Sequence, residues 1–234
     1  MKYMGSKSRI TKDIVPIIQE YIDKSDADVY VEPFVGGANV IDKISCDLRI
    51  GIDNNPYLIE LFRYVQHGGV LPNEISRKEY TDVRQHKEQY DPWFVGCVGF
   101  LSSYNGKFFG GYSGEVLTKV GTIRNYYDES KRNLLKQVES LQSVEFIKSD
   151  YRNLRRNGCV IYCDPPYAGT TGYVDSFDNE EFWNVVREWS KNNIVLVSEQ
   201  VAPPDFKVVW QKDIVRTQDN QSRKIITEKL FIKE

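Results

Sequence analysis

Asp164-Pro165-Pro166-Tyr167 follows the apolar run Gly158-Cys159-Val160-Ile161-Tyr162-Cys163. Valine, isoleucine and tyrosine between a glycine and a proline pair predict a buried strand over 158–163 that stops at Asp164. Pro165 and Pro166 have no backbone N–H with which to extend a ladder, so the chain turns there. The turn gathers a carboxylate, proline carbonyls and an aromatic ring at a strand's carboxyl end, the edge where open α/β sheets bind ligands. Acceptors beside a ring suit a planar base with an amino group. The oxygens take the amine hydrogens and the phenol ring stacks on the π face. A plain turn after a strand uses the same residues.

Glu32-Pro33-Phe34-Val35-Gly36-Gly37 is a second candidate. Glycines let a ligand approach the backbone, and a following helix would offer N–H groups without intrahelical partners. No Gly-Lys-Ser/Thr follows, and the full G-x-G-x-x-G of dinucleotide sites is absent, so an ordinary strand-to-helix turn also fits. Asp53 ends the next predicted strand. There a carboxylate accepts from both hydroxyls of a ribose, or caps the helix that follows. Glycine turn and acid together point to a nucleoside-containing cofactor.

These residues need elements to hold them. Ile10, Ile14, Ile17, Ile18 and Tyr21 have helical spacing, which predicts a helix over 6–22, shortened or kinked at Pro16. Strands are predicted over 28–32 and 48–53, with a short helix over 38–46 between them and a helix over 56–66, where Pro56 suits the first turn. Strand, glycine turn, helix and a strand ending in Asp open a Rossmann-type sheet. Residues 67–143 break this rhythm. Ser102-Ser103-Tyr104-Asn105-Gly106-Lys107-Phe108-Phe109-Gly110-Gly111-Tyr112 reads as a flexible polar-aromatic loop rather than sheet, and a helix is predicted over 127–141. The α/β pattern resumes with strands over 144–148, 158–163 and 194–198, a helix over 179–191, and an antiparallel pair over 206–216 and 224–232. The fold expected is α/β: a Rossmann-like mixed sheet with an antiparallel C-terminal edge hairpin. Residues 1–66 and 144–234 would form its catalytic domain, and 67–143 an inserted, mostly helical recognition region.

At 234 residues the chain can bury one full core and carry a smaller insertion, and 41% hydrophobic with 13% aromatic residues excludes a disordered chain. No apolar run approaches the roughly 18 residues that span a bilayer, and the N-terminus lacks the apolar stretch of a signal peptide; a cytoplasmic protein is expected. Cys46, Cys97, Cys159 and Cys163 make no C-x-x-C pair, and His67 and His86 are far apart, so no metal site is expected. The net charge of −2 counts against a nucleic-acid binder, while local clusters count for one. Those are Lys2, Lys7, Arg9 and Lys12; Lys119, Arg124, Lys131, Arg132 and Lys136; and Arg152, Arg155 and Arg156. Any one of them also reads as a solvated face.

Taken in order, Tyr3-Met4-Gly5-Ser6-Lys7, Glu32-Pro33-Phe34-Val35-Gly36-Gly37, Asp53, Phe146-Ile147-Lys148-Ser149-Asp150-Tyr151 and Asp164-Pro165-Pro166-Tyr167 resemble the Dam-like, α-group adenine-N6 DNA methyltransferases along the whole chain. Gly106-Lys107-Phe108-Phe109-Gly110-Gly111-Tyr112, Ala168-Gly169-Thr170-Thr171-Gly172-Tyr173 and Thr227-Glu228-Lys229-Leu230-Phe231 make it similar to the short phage- and prophage-borne members. The resemblance implies S-adenosylmethionine as donor, S-adenosylhomocysteine as product and double-stranded DNA as partner. It places Tyr3 and Lys7 near the methionine half of the cofactor with Phe34 and Gly36 beside it, Asp53 on the ribose, and Asp150 with Tyr151 on the adenine. Asp164, Pro165 and Tyr167 would carry the chemistry on a flipped adenine, with Asp164 also at the cofactor. In isolation Lys7 reads as a surface charge and Asp150 as a loop acid. For the duplex, Arg124, Lys131 and Arg132 are candidates for phosphates or guanines, and Tyr104, Asn105 and Lys107 for the flipping or target loop; a hairpin or surface helix would equally use them.

Two departures bear on specificity. Ser102-Ser103 stands where family members often carry Asn-Arg, and Ser198-Glu199 where many have Ser-Asn. Glu199 faces the substrate pocket or is a polar strand end. A monomer is expected, acting alone or beside a separate restriction endonuclease. Competing readings are amino methylation of RNA or of a protein glutamine, and a DNA-binding module of this fold that has lost turnover.

Overall fold

A computed structural model describes residues 1–118, 120–166, 177–217 and 223–233. In chain order they form α1 (Thr11–Ser25), β1 (Val29–Glu32), β2 (Leu48–Asp53), α2 (Pro56–Gln66), α3 (Arg77–Gln85), α4 (Pro92–Gly96), β3 (Glu115–Leu117) and β4 (Ile123–Asn125). Then follow α5 (Tyr126–Leu135), α6 (Val138–Leu141), β5 (Val144–Lys148), β6 (Val160–Cys163), α7 (Asn179–Trp189), β7 (Ile194–Glu199), β8 (Phe206–Thr217) and β9 (Arg223–Lys233). Seven strands make one sheet in the order β5-β2-β1-β6-β7-β9-β8, and β3 pairs with β4 in a separate hairpin. β1, β6 and β7 are parallel neighbours, while β9 runs antiparallel to both β7 and β8. The mixed sheet with an antiparallel C-terminal edge is the architecture expected.

The chain divides into two compact units. The first comprises Met1–Arg9, Val35–Lys43 and Gly51–Ser149. Its core is set by α2, whose start is fixed by Asn55: the side-chain oxygen accepts from Tyr57 and Leu58 N–H, and Pro56 fills the first helical position. Leu58, Ile59, Leu61, Phe62 and Val65 are buried, and Phe62 stacks on Phe146 of β5 at 4.6 Å. Burying such a ring is worth roughly 1.5–3 kcal/mol. Gly96 lets α4 lie against α2, since a Cβ there would stand 2.1 Å from the Tyr57 carbonyl oxygen.

The second unit comprises Ile10–Phe34, Ile44–Ile50 and Asp150–Glu234. Here Ile14, Ile18 and Ile22 are the buried stripe of α1, and Phe182, Val186 and Trp189 that of α7. All four residues of β6 are buried, as a strand flanked by two parallel neighbours requires. Asp178 caps α7 by accepting from the Glu181 N–H at 3.0 Å.

Three local expectations change. The predicted helix over 38–46 is only a 3₁₀ turn at Ile41–Lys43. Ala38 sits at φ 54° and its N–H closes a turn onto the Val35 carbonyl, and a left-handed residue cannot start a right-handed helix. The predicted helix over 127–141 is two helices, α5 and α6, separated at Lys136–Gln137. The stretch read as loop rather than sheet contains an antiparallel bridge between Ser103 and Tyr112, and the β3–β4 hairpin follows it. Pro16, by contrast, lies inside a continuous α1.

Candidate active site

In the first unit the cluster forms where β2 ends. Val35 N–H donates to the Ile52 carbonyl at 2.8 Å, which brings the glycine turn beside Asp53. Asp53 Oδ2 accepts from Gly36 N–H at 3.3 Å and Oδ1 from Asn55 N–H at 2.9 Å. Burial pushes the Asp53 carboxyl up to about 6, against the partial opposition of those backbone donors. Each oxygen keeps a lone pair for a further donor. The helix cap is Asn55 instead, so Asp53 is not consumed by that role.

Gly36 has φ 47°, and a Cβ there would meet the Tyr3 ring at 2.9 Å. Glycine is needed at this position on both counts. Tyr3 also stacks on Phe100 at 5.7 Å, and Lys7 is buried rather than a surface charge. The turn offers no α-helix N-terminus, because no α-helix follows it. It is tied down from elsewhere in the chain. The buried Gln137 amide donates to the Ala38 carbonyl at 3.0 Å and to Asp42 Oδ2 at 2.9 Å. Asn39 Nδ2 donates to the Met1 carbonyl at 2.9 Å and to Ser6 Oγ at 2.8 Å. Neither Gln137 nor Asn39 was visible in the sequence as a supporting residue. Gln137 lies in a helical polar pattern about a hundred positions away, with no motif to mark it.

In the second unit the carboxyl ends of β1, β6 and β7 bring Glu32, Asp164 and Ser198-Glu199 to one sheet edge. Asp164 is half-buried and Pro165 is buried. Behind them lies a polar layer: Tyr30 Oη donates to Glu32 Oε1 at 2.7 Å, and Tyr162 Oη pairs with Ser198 Oγ at 2.8 Å. Burial, with the Glu32 charge beside it, holds the Tyr30 phenol well above its ordinary range. Glu199 is buried and accepts the Gln200 N–H at 2.8 Å. Phe34, Tyr151, Phe177 and Phe182 make an aromatic cluster with ring centroids 5.0–6.0 Å apart. Burial raises the Tyr151 phenol to about 12. Asp150 accepts from Arg152 N–H at 2.9 Å and from its guanidinium on both oxygens at 2.8 Å. Tyr167, the segment 168–173 and Lys119 lie outside the described residues.

The residues expected at the duplex sit in the first unit. Tyr104 is 68% exposed, Asn105 is exposed at φ 55°, Lys107 is half-buried and Arg132 is exposed. Arg124 reaches Glu129 Oε2 through Nε at 2.8 Å and Nη2 at 2.6 Å, and lies over the Tyr126 ring at 4.6 Å. Lys131 donates to the Leu71 and Pro72 carbonyls at 3.2 and 2.7 Å. Among the described residues no three His, Cys, Asp or Glu side chains group as metal ligands, and no helix is long and apolar enough to cross a membrane.

Strand ends that carry Asp53 in the first unit and Asp164-Pro165 in the second belong to an α/β sheet of the kind that binds ligands at its carboxyl edge. The family follows from comparison. Residues 3–219 match the D12 class N6 adenine-specific DNA methyltransferases. The Retron Ec67 DNA adenine methylase of Escherichia coli is 30% identical over 208 residues, which is 79% of this chain and 70% of that protein. A DNA adenine methylase of Vibrio cholerae serotype O1 is 26% identical over 202 residues, 78% of this chain and 70% of that one. The chain therefore belongs to the D12 class N6 adenine-specific DNA methyltransferase family. It is also 28% identical over 227 residues to the modification methylase StsI of Streptococcus sanguinis, covering 83% of this chain but only 32% of that longer protein. It spans the same 32% of the Type II methyltransferase M.FokI of Planomicrobium okeanokoites. Among solved structures, the magnesium protoporphyrin IX methyltransferase of Synechocystis aligns over 97% of this chain and 79% of its own at 10% identity and a TM-score of 0.37, too slight a likeness to carry function.

Proposed function

We propose that this protein transfers a methyl group from S-adenosylmethionine to the N6 amine of adenine in double-stranded DNA, leaving S-adenosylhomocysteine. The observation that carries the reading is the Asp164-Pro165 turn at the carboxyl end of β6, in a chain of this family. The cofactor supplies an electrophilic methyl on a sulfonium. The donor set suits it: Asp53 has acceptor capacity for two ribose hydroxyls, and Gly36 leaves room for the Tyr3 ring to pack against the turn beside it. Tyr3 and Lys7 serve the methionine half of the cofactor, and Phe34 and Gly36 lie beside that cofactor. Asp150 and Tyr151 take the adenine, Tyr151 by stacking and Asp150 by accepting from its amine once it shares its oxygens with Arg152.

The target amine is a poor nucleophile because its lone pair is delocalised into the ring. Its two hydrogens, donated to the Asp164 carboxylate and the Pro165 carbonyl, hold the nitrogen nearer tetrahedral geometry and localise that pair. Positive charge developing on nitrogen is stabilised by the Asp164 carboxylate as the methyl–sulfur bond breaks, and the methylated nitrogen then releases one proton to solvent. Positioning and exclusion of water supply the rest. The base cannot be reached inside a duplex, so it is flipped out at a cost of a few kcal/mol. Tyr167 stacks on the flipped base, worth roughly 1–3 kcal/mol.

Residues 67–143 recognise the duplex, through Tyr104, Asn105 and Lys107 at the flipping loop and Arg124, Lys131 and Arg132 at phosphates or guanines. Arg124 and Lys131 must exchange their present partners to do so. The protein works as a cytoplasmic monomer, alone or beside a separate restriction endonuclease. Purified protein supplied with tritiated S-adenosylmethionine and, in parallel, duplex DNA, RNA and glutamine-containing protein tests the substrate class. Label should enter duplex DNA; label entering only RNA or protein contradicts the proposal.

A further inference from the structure

The segment from Cys97 to Ser113 concentrates irregularities found nowhere else so densely among the described residues. It begins as a π-helical turn, Cys97–Leu101, a rare form associated with functional sites. Asn105 and Phe109 both lie in the left-handed region, at φ 55° and 46°. For a bulky residue such as Phe109 that conformation costs energy and persists only where the surroundings impose it. They do so here: the Phe109 ring packs edge-on against Tyr80 at 5.3 Å, and the Phe109 N–H donates to the Gly99 carbonyl at 2.9 Å.

The base of this loop is a short ladder. Ser113 N–H donates to the Ser102 carbonyl and Tyr104 N–H to the Gly111 carbonyl, each at 2.8 Å, with Ser103 opposite Tyr112. Ser102 and Ser113 are therefore cross-strand partners, and opposed residues in such a ladder point their side chains to the same face. Both are buried, Ser102 at 0% and Ser113 at 8% exposure, and neither hydroxyl has a hydrogen-bond partner among the described residues. Ser103 between them is the reverse case: its hydroxyl donates to the Gly99 carbonyl at 2.6 Å and pairs with Tyr80 Oη at 2.9 Å. Two adjacent unpaired hydroxyls in one interior are uncommon, because each gives up its water without compensation.

We propose that Ser102 and Ser113 make this loop a preloaded element: their hydroxyls stay unpaired in the free protein and become paired when duplex DNA engages the exposed Tyr104-Asn105 tip and shifts the ladder. The loop is then held by Phe109 and Ser103 in a conformation that DNA relaxes. This rests on the reading of the protein as a DNA-binding methyltransferase, and it gives Ser102 a role in binding rather than in base reading.

The Ser102→Ala/Ser113→Ala double variant tests it by thermal unfolding and by fluorescence-anisotropy titration with a short duplex. Removing unpaired buried hydroxyls should raise Tm by about 2–4 °C. The same change should weaken duplex binding about tenfold, since the free state is no longer penalised and the bound state gains nothing. Cofactor affinity should not change. Ser103→Ala, which breaks a satisfied pair, should lower Tm. A fall in Tm of the double variant overturns the proposal by showing that the hydroxyls are satisfied in the free protein, and a rise in Tm with unchanged duplex affinity overturns the coupling to DNA. If wild-type protein binds no duplex, the functional reading falls with it; if wild type binds and the double variant binds equally, only this inference falls.

Discussion

Asp53 is the residue whose chemistry is most open to measurement. Its carboxyl titrates near 6 in the folded chain against an ordinary 3.8, because burial outweighs the Gly36 and Asn55 donors. As pH falls through that window the folded state takes up a proton the unfolded state does not, so this group's contribution to stability rises while one of its two oxygens turns from acceptor to donor. On the proposed ribose role, cofactor affinity read by calorimetry should therefore fall as pH drops below about 6 while Tm does not fall in parallel. Asp53→Asn should bind weakly and show no such dependence. Gly36→Ala meets two obstacles at once, φ 47° and the Tyr3 ring. The left-handed backbone alone costs roughly 1–2 kcal/mol, so denaturant melts should show at least that loss, together with weakened cofactor binding.

At the scale of elements, the turn after β1 is held by a side chain from the junction of α5 and α6. Gln137→Leu keeps the volume but removes the amide donor to the Ala38 carbonyl and to Asp42 Oδ2, leaving Asp42 its Lys43 partner on Oδ1. It should cost roughly 1–3 kcal/mol in urea unfolding and loosen the 35–43 segment in hydrogen exchange. This tether also marks where the sequence stopped being readable. The strands over 48–53 and 144–148, the helix from Pro56 and the C-terminal antiparallel pair follow from local patterns: a two-residue or 3.6-residue period, an Asn cap, a Pro at the first turn. So did the acids at strand ends, because a strand's end is a local fact. The helix expected over 38–46 failed because Ala38 adopts a conformation that only its surroundings impose. The break between α5 and α6, the Gln137 tether and the paired serines at the base of the 102–113 loop all depend on contacts between distant positions, and no local pattern encodes those.

For the whole molecule, a net charge of −2 means that duplex binding cannot come from global attraction and must come from a few placed cations. Arg132 is exposed, whereas Arg124 and Lys131 are engaged within the protein. The logarithm of duplex affinity against that of salt concentration should then have a shallow slope, and Arg132→Ala should reduce it by about one. On the proposed mechanism, methyl transfer requires the Asp164-Pro165 turn to accept the amine of adenine. The most direct measurement is mass spectrometry of nucleosides from duplex DNA incubated with the protein and S-adenosylmethionine carrying a deuterated methyl group. The label should appear in N6-methyldeoxyadenosine with wild type and vanish with Asp164→Ala, in a variant that remains folded. Label on another base, or undiminished labelling by Asp164→Ala, would contradict it.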